Sequence, residues 1–180
     1  MPKPQDTKDV YQYTALGRRE IRVVLLHPWD SIDGIRCEMT HVSLGDNPKY
    51  EALSYTWGSA TNKAFIKVGS TWLSVTQNLF NALHALSPPS SHRIIWIDAM
   101  CINQNDPTER DHQVAFMKDI YTRASRVIVW LGSAADNSDA VMDYIGTIIP
   151  EPNLTEHKSW ESVSALLSRP WFSRVWIQQE

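Results

Sequence analysis

Cysteine is scarce: Cys37 and Cys101 are the two thiols in 180 residues. Neither sits in a metal-type spacing, and two thiols build no disulfide framework. Cys101 lies beside a strongly apolar run and reads as a small buried hydrophobe. The six histidines form no HxH or HxxxH pair, so no zinc-type ligand set is present. No apolar stretch is long enough to cross a bilayer, and the polar start "MPKPQDTKDV" is not a signal peptide. A cytoplasmic, reducing location is the default expectation. There is no long basic run, and the formal net charge is −3, so duplex nucleic acid is not favoured as a partner. The phosphate-cradling patterns GxGxxG and GxxxxGK[ST] are both missing. Ser54 has no evident His–Asp partnership that would make it a nucleophile.

What remains is a chain long enough for one ordinary domain, with hydrophobic residues at 43 %, which excludes a disordered chain. Eight tryptophans must serve as core or as pocket walls. "IRVVLLHP" (21–28) is a strand stopped by Pro28, and "IRCEMTHVSL" (35–44) alternates with period two, so the two can pair as a hairpin. "YEALSYTWG" (50–58) is a strand ending at Trp57-Gly58. "FIKVGSTWLSV" (65–75) is a second hairpin turning at Gly69-Ser70. Ser74 and Gln77 have capping-box spacing ahead of a helix with Val75, Leu79, Leu83 and Leu86 as its stripe. Pro88-Pro89 ends it.

"RIIWIDAMCINQ" (93–104) holds the most apolar short run, as expected of a strand covered on both faces. Asp106, Pro107 and Glu109 then open a helix whose face is Val114, Met117, Ile120, Tyr121 and Ala124. "RVIVWLG" (126–132) is a second strand of the buried type, completing a βαβ unit. Short helices follow at 138–146 and 159–168, and Pro170 starts another. In that last helix Phe172, Val175 and Trp176 are expected to face the core, leaving Trp171 and Arg174 for a ligand or partner.

Ligands of open α/β sheets bind at the carboxyl ends of parallel strands. If the three strands at 50–55, 94–97 and 127–131 are parallel neighbours, their exits place Ser54, Tyr55, Thr56, Trp57, Gly58, Asp98, Cys101, Asn103, Gln104, Gly132 and Ser133 on one rim. A nucleotide-sized ligand can use such a set: amides for base or ribose, an indole for stacking and helix N–H groups for phosphate. Bland roles compete at every position. Asp98 either braces loop N–H groups or meets a ligand. Asn103 and Gln104 are favoured as turn formers, and Gly58 as a permissive backbone position.

Three segments together resemble a known family. "YEALSYTWG" (50–58), "IIWIDAMCINQNDPTERDHQVAFMKDIYTRASRVIVWLG" (94–132) and "RPWFSRVWIQQE" (169–180) are similar, in order, to the three hallmark blocks of the fungal heterokaryon incompatibility (HET) domain. Residues 1–19 read as a flexible lead-in, and the resemblance implies a HET domain over 20–180. The implied fold is α/β: a TIR-like, flavodoxin-like, mostly parallel central sheet flanked by helices, with an extra N-terminal β-hairpin. It implies a role in self/non-self recognition leading to cell death, with self-association and an upstream receptor or sensor as partners. Some TIR domains hydrolyse NAD using a Glu on a helix after the third central strand. By that likeness "SYTWG" is a first-strand exit, "IDAMCINQ" a second, and "WFSRVWIQQE" the aromatic helix ending in the catalytic-type Glu180. Trp57, Trp171 and Trp176 would wall the site. NAD would then be the substrate, with no further cofactor required. Such cleavage needs little acid catalysis, because nicotinamide leaves as a neutral group. It needs a carboxylate at the oxocarbenium-like centre and walls that exclude water. The alternative implied function is a non-catalytic death-signalling module that works by self-assembly. A chain that stops at the third block fits a natural short form or an excised piece equally.

Overall fold

Residues 21–26 are apolar on alternate sides of a strand, with one exception, Arg22. The strand they form, β1 (Glu20–Leu26), is buried along nearly its whole length. The computed structural model describes residues 9–147 and 157–174. The expected first hairpin is present: β2 (Arg36–Ser43) runs antiparallel to β1, from Glu20↔Ser43 to Leu26↔Cys37. Then come β3 (Glu51–Tyr55), the hairpin β4 (Lys63–Val68) and β5 (Thr71–Thr76), and α1 (Gln77–Leu86). After these lie β6 (Arg93–Trp96), the single turn α2 (Asp98–Cys101), α3 (Pro107–Arg123) and β7 (Val127–Trp130). Two further helices, α4 (Ser138–Thr147) and α5 (His157–Leu167), precede a 3-10 turn over Pro170–Ser173.

The seven strands form one sheet in the order β5-β4-β2-β1-β6-β3-β7, so the chain has the expected α/β architecture of a sheet flanked by helices. The sheet is mixed. β1 is antiparallel to both its neighbours, β2 and β6, whereas β3 is parallel to β6 on one side and to β7 on the other. The three strands whose exits were expected to share a rim are therefore adjacent and parallel, with β3 in the middle. β3 lies between the two strands that the βαβ reading joined directly. The core runs along both sides of β1, β3 and β6, and Ile21, Val24, Leu53, Ile95, Trp96, Leu79 and Leu83 are fully buried.

Several local expectations shift. β5 continues through Thr76, whose pairing with Lys63 carries the strand one residue past Val75. Thr76 Oγ1, not Ser74, caps α1 by accepting from Leu79 N at 3.3 Å, so Val75 is a strand residue. β7 is an edge strand and not a doubly covered one, and Val129 is 42 % exposed. On α3 the buried residues are Gln113, Ile120 and Tyr121, while Val114 is 44 % exposed. Polar Gln113 is tolerated inside because its Nε2 donates to Glu20 O at 2.9 Å. Residues 10–14, expected within a flexible lead-in, are tied down: Tyr11 N donates to Trp72 O at 2.9 Å and Tyr13 Oη to Met100 O at 2.9 Å. No helix among the described residues is long and apolar enough to cross a membrane.

Asp106 caps α3 as expected, its Oδ1 accepting from Thr108 N and Glu109 N. Glu109 does not turn back to complete a capping box, because Arg22 claims it. The fully buried guanidinium of Arg22 donates to both carboxylate oxygens of Glu109, to Cys101 O at 2.8 Å and to Thr14 O at 2.6 Å. Glu109 Oε1 also accepts from Asn103 N at 2.7 Å. Burial pushes the Glu109 carboxyl up, but the hydrogen bonds from Arg22 and Asn103 N outweigh it and the net displacement is downward.

Two predictions follow from this architecture. Removing one member of a buried, hydrogen-bonded ion pair strands the other charge, so Glu109→Gln is expected to cost about 3–5 kcal/mol in urea unfolding at neutral pH. A carboxyl held below its ordinary 4.5 contributes stability above that pH and loses it as pH falls through the lower folded value. The gap between wild type and Glu109→Gln should therefore narrow below pH 4.5; a gap that stays constant down to pH 3 refutes the assignment. Separately, Gly58 has φ +75°, and a Cβ there would meet Asn78 Cβ at 3.1 Å. Gly58→Ala is expected to lower stability by about 1–2 kcal/mol through the left-handed backbone alone, and an unchanged thermal midpoint would contradict that.

Candidate functional site

The parallel strands β6 and β3 stop side by side, and the chain turns sharply at each exit. After β6, Asp98 opens the single turn α2, its Oδ1 accepting from Ala99 N at 2.6 Å. After β3, Trp57 reaches across and donates its indole N–H to Asp98 Oδ2 at 2.8 Å. Between these exits is a pocket of about 380 Å³ lined by Tyr55, Thr56, Trp57, Asp98, Val114, Met117 and Arg174. Two other hollows are of similar size. One is lined by Trp29, Phe65, Trp72 and Phe80, and the other by Lys49, Glu51, His92 and Arg93. The pocket at the β3 and β6 exits is the one that lies where open parallel sheets bind ligands.

Its walls have distinct chemistry. Trp57 is 45 % exposed, with its N–H engaged and its ring available for contact. Val114 and Met117 add an apolar wall from the middle of α3. Tyr55 is 1 % exposed, and its phenol lies against the Asp98 carboxyl. Burial first, and the neighbouring Asp98 carboxyl second, push the Tyr55 phenol well above its ordinary pKa of 10.0, so the phenol keeps its proton.

Arg174 comes from the C-terminal turn. Pro170 starts not an α-helix but a single 3-10 turn, and Arg174 is already extended (φ −72°, ψ 135°). Three residues per turn put side chains at i and i+3 on one face, and here Trp171 and Arg174 share it. Trp171 Nε1 and Arg174 Nη1 both donate to Ser54 Oγ, at 2.8 and 3.0 Å. Phe172, expected in the core, is instead 40 % exposed. Arg169 fastens the same turn, donating to Leu131 O and Ala135 O, both at 3.2 Å.

The expected site residues thus divide. Tyr55, Trp57 and Asp98 meet in the pocket. Ser54 is fully buried one residue back along β3 and anchors the C-terminal turn, and Trp171 is its partner rather than a pocket wall. Asn103 and Gln104 are braces: Asn103 Oδ1 accepts from Asn105 N, and Gln104 Nε2 donates to Asp98 O at 3.1 Å. Gly58 turns the chain against Asn78. That asparagine donates to Thr56 O at 2.6 Å and accepts from Trp130 Nε1 at 3.0 Å, tying the β3 and β7 exits together. Ser133 Oγ is reached by Asn81 Nδ2 at 3.4 Å, at the side of the rim away from the pocket. Trp176 and Glu180 lie outside the described residues. Burial pushes both Cys37 and Cys101 up to about 12, and Cys101 is buried as expected. No group of three metal-ligating side chains occurs among the described residues. Sequence reasoning placed Val114 and Met117 on the apolar face of α3 and did not count them among the site residues. Their positions on an amphipathic stripe hid a face that the sheet leaves open.

Comparison with known proteins bears on this site. A family model described as "Heterokaryon incompatibility protein (HET)" matches residues 50–180, the stretch that carries every pocket residue. Among curated proteins the chain is similar to "Heterokaryon incompatibility protein 6, OR allele" of Neurospora crassa, at 35 % identity over 212 aligned positions that cover 89 % of this chain. The chain spans 31 % of that relative's length. No solved structure matches it significantly. With the family model covering well over half of the sequence, the chain belongs to the heterokaryon incompatibility (HET) family.

Proposed function

We propose that this domain serves fungal self/non-self recognition as its death-triggering part, and that it acts through the pocket at the β3 and β6 exits by cleaving the N-glycosidic bond of NAD when several copies assemble. The observation that carries the reading is the pocket itself: a carboxyl, a guanidinium and an indole converge at the carboxyl ends of two parallel strands. In this reading a carboxylate steadies the ribose as positive charge develops at its anomeric carbon, nicotinamide leaves as a neutral group with the electrons of the broken C–N bond, and one water molecule adds to the anomeric carbon and loses a proton, while the aromatic and apolar walls keep bulk water out. Glu180 is the proposed catalytic carboxylate by likeness to TIR domains. Self-association and an upstream sensor are the proposed partners, and assembly would keep a lone copy silent.

A second reading has its own support. Met142, Ile145, Trp160, Leu167 and Phe172, on α4, α5 and the 3-10 turn, are each at least 40 % exposed. Exposed large apolar side chains concentrated on one stretch of chain fit an interaction surface, and a module that signals by assembly alone needs such a surface and no chemistry.

Concentrated protein incubated with NAD separates the two. The catalytic reading expects nicotinamide release that rises more steeply than protein concentration and falls at least about 100-fold in Glu180→Ala, the scale of losing a principal transition-state contact. No release from crowded protein leaves the assembly reading, which light scattering against concentration then tests.

A further inference from the structure

The hollow lined by Trp29, Phe65, Trp72 and Phe80 shares no residue with the pocket at the β3 and β6 exits. One wall is the loop after β1, at the end of the sheet where β6 begins, since Leu26 pairs with Arg93. That loop is firmly built. Asp30 Oδ1 accepts from Ile32 N at 2.7 Å and from Asp33 N at 3.2 Å, and Gly34 N, at a residue with φ +73°, donates to Asp30 O at 2.8 Å. The loop nevertheless presents Ile32, 87 % exposed, and the exposed Trp29, whose ring packs edge-to-face with His84 at 4.4 Å between centroids. The sheet supplies two more rings. Phe65 pairs with Ser74 and Trp72 with Lys67, so Phe65 and Trp72 are diagonal neighbours on one face of the β4–β5 hairpin. Phe80 of α1 is the fourth ring.

Four aromatic side chains around one space of about 360 Å³ select by charge as well as by shape. The face of an aromatic ring carries negative potential and attracts a cation. Asp33 is the one charged side chain among the described residues that line the space, and its Oδ1 lies 3.7 Å from Lys67 Nζ. A phosphate or carboxylate placed here meets negative potential from the rings and from Asp33. A primary ammonium brings three N–H donors, which four rings and an already paired carboxylate do not match. A quaternary ammonium has no N–H to satisfy. Ring faces suffice for it, and Asp33 adds an attractive field without having to give up Lys67. The volume holds such a group together with a short stem. We propose that this pocket binds the trimethylammonium group of a choline-type cation, as a second site independent of the pocket at the β3 and β6 exits.

Choline and its neutral carbon isostere, dimethylbutanol with a tert-butyl group in place of trimethylammonium, have one shape and differ in charge. Ligand-detected NMR titration of the whole chain should show choline binding at least about tenfold more tightly, the scale of a desolvated cation–ring contact. Trp29→Leu keeps an apolar wall at an exposed position and should abolish that preference while leaving the isostere's affinity unchanged. Asp33→Asn should weaken choline about two- to threefold, as expected of a half-screened charge, and Lys67→Met should strengthen it by a similar factor. Trp57→Ala, in the other pocket, should change nothing. Phosphocholine binding more tightly than choline assigns the group to a lipid-type headgroup, and trimethyllysine binding more tightly assigns it to a modified side chain. Equal affinity for choline and the isostere, no binding of choline, a preference that survives Trp29→Leu, or one that Trp57→Ala removes overturns the proposal.

Discussion

The buried pair of Arg22 and Glu109 draws together parts of the chain that lie far apart in sequence. A guanidinium in the middle of an otherwise apolar strand is costly, because desolvation of both charges can exceed their mutual attraction. Here nearly every donor is used. Arg22 takes both oxygens of Glu109 and two backbone carbonyls, and its Cζ lies 4.9 Å from the Tyr13 ring centroid. Those contacts draw four segments to one point: the strap at 10–14, β1, the loop after α2 and the start of α3. A leucine at position 22 would be easier to bury but would hold none of these, since a directional fork is what binds two carbonyls and a carboxylate in fixed places.

The same pair reaches the pocket through a short series of contacts. Glu109 accepts from Asn103 N, which fixes the loop between α2 and α3. The next residue, Gln104, donates to Asp98 O, and the Asp98 side chain accepts from Trp57. The pocket carboxyl therefore opens a short helical turn held by Trp57 on one side and by Gln104 on the other. A site is only as well placed as its supports, and through Asn103 and Glu109 these supports reach back to β1, the strand next to β6.

Much of this architecture is legible in the sequence. Alternation marks β2 and short apolar runs mark β6 and β7, and "IRCEMTHVSL" beside "IRVVLLHP" points to the first hairpin, which is antiparallel. The rim was legible too, because strand exits follow once β3, β6 and β7 are taken as parallel neighbours. What could not be read is anything set by long-range partners. β3 inserts between β6 and β7, so β7 becomes an edge although its composition is that of a covered strand. Pro170 announces a helix, yet a single 3-10 turn follows, and Ser54, more than a hundred residues earlier, holds both Trp171 and the extended Arg174 beyond it. Arg22 was visible as an oddity in its strand, but its partner 87 residues away was not.

Ser54 also explains why the pocket needs the third hallmark block. The first two blocks supply Tyr55, Thr56, Trp57, Asp98, Val114 and Met117, which make a hollow with one carboxyl and no cation. The third block adds Arg174, and it arrives by docking on Ser54, directly beside Tyr55 in β3. Ser54 and Tyr55 thus divide the work of one strand end: Ser54 Oγ positions the cation, and Tyr55 Oη faces the space the cation helps enclose. Trp171 donates to Ser54 Oγ without lining the pocket that Tyr55 and Arg174 share. Arg174 is long enough to serve both, donating to Ser54 Oγ with one nitrogen while lining the pocket. A lysine in its place, with one point of charge, would have to choose between them.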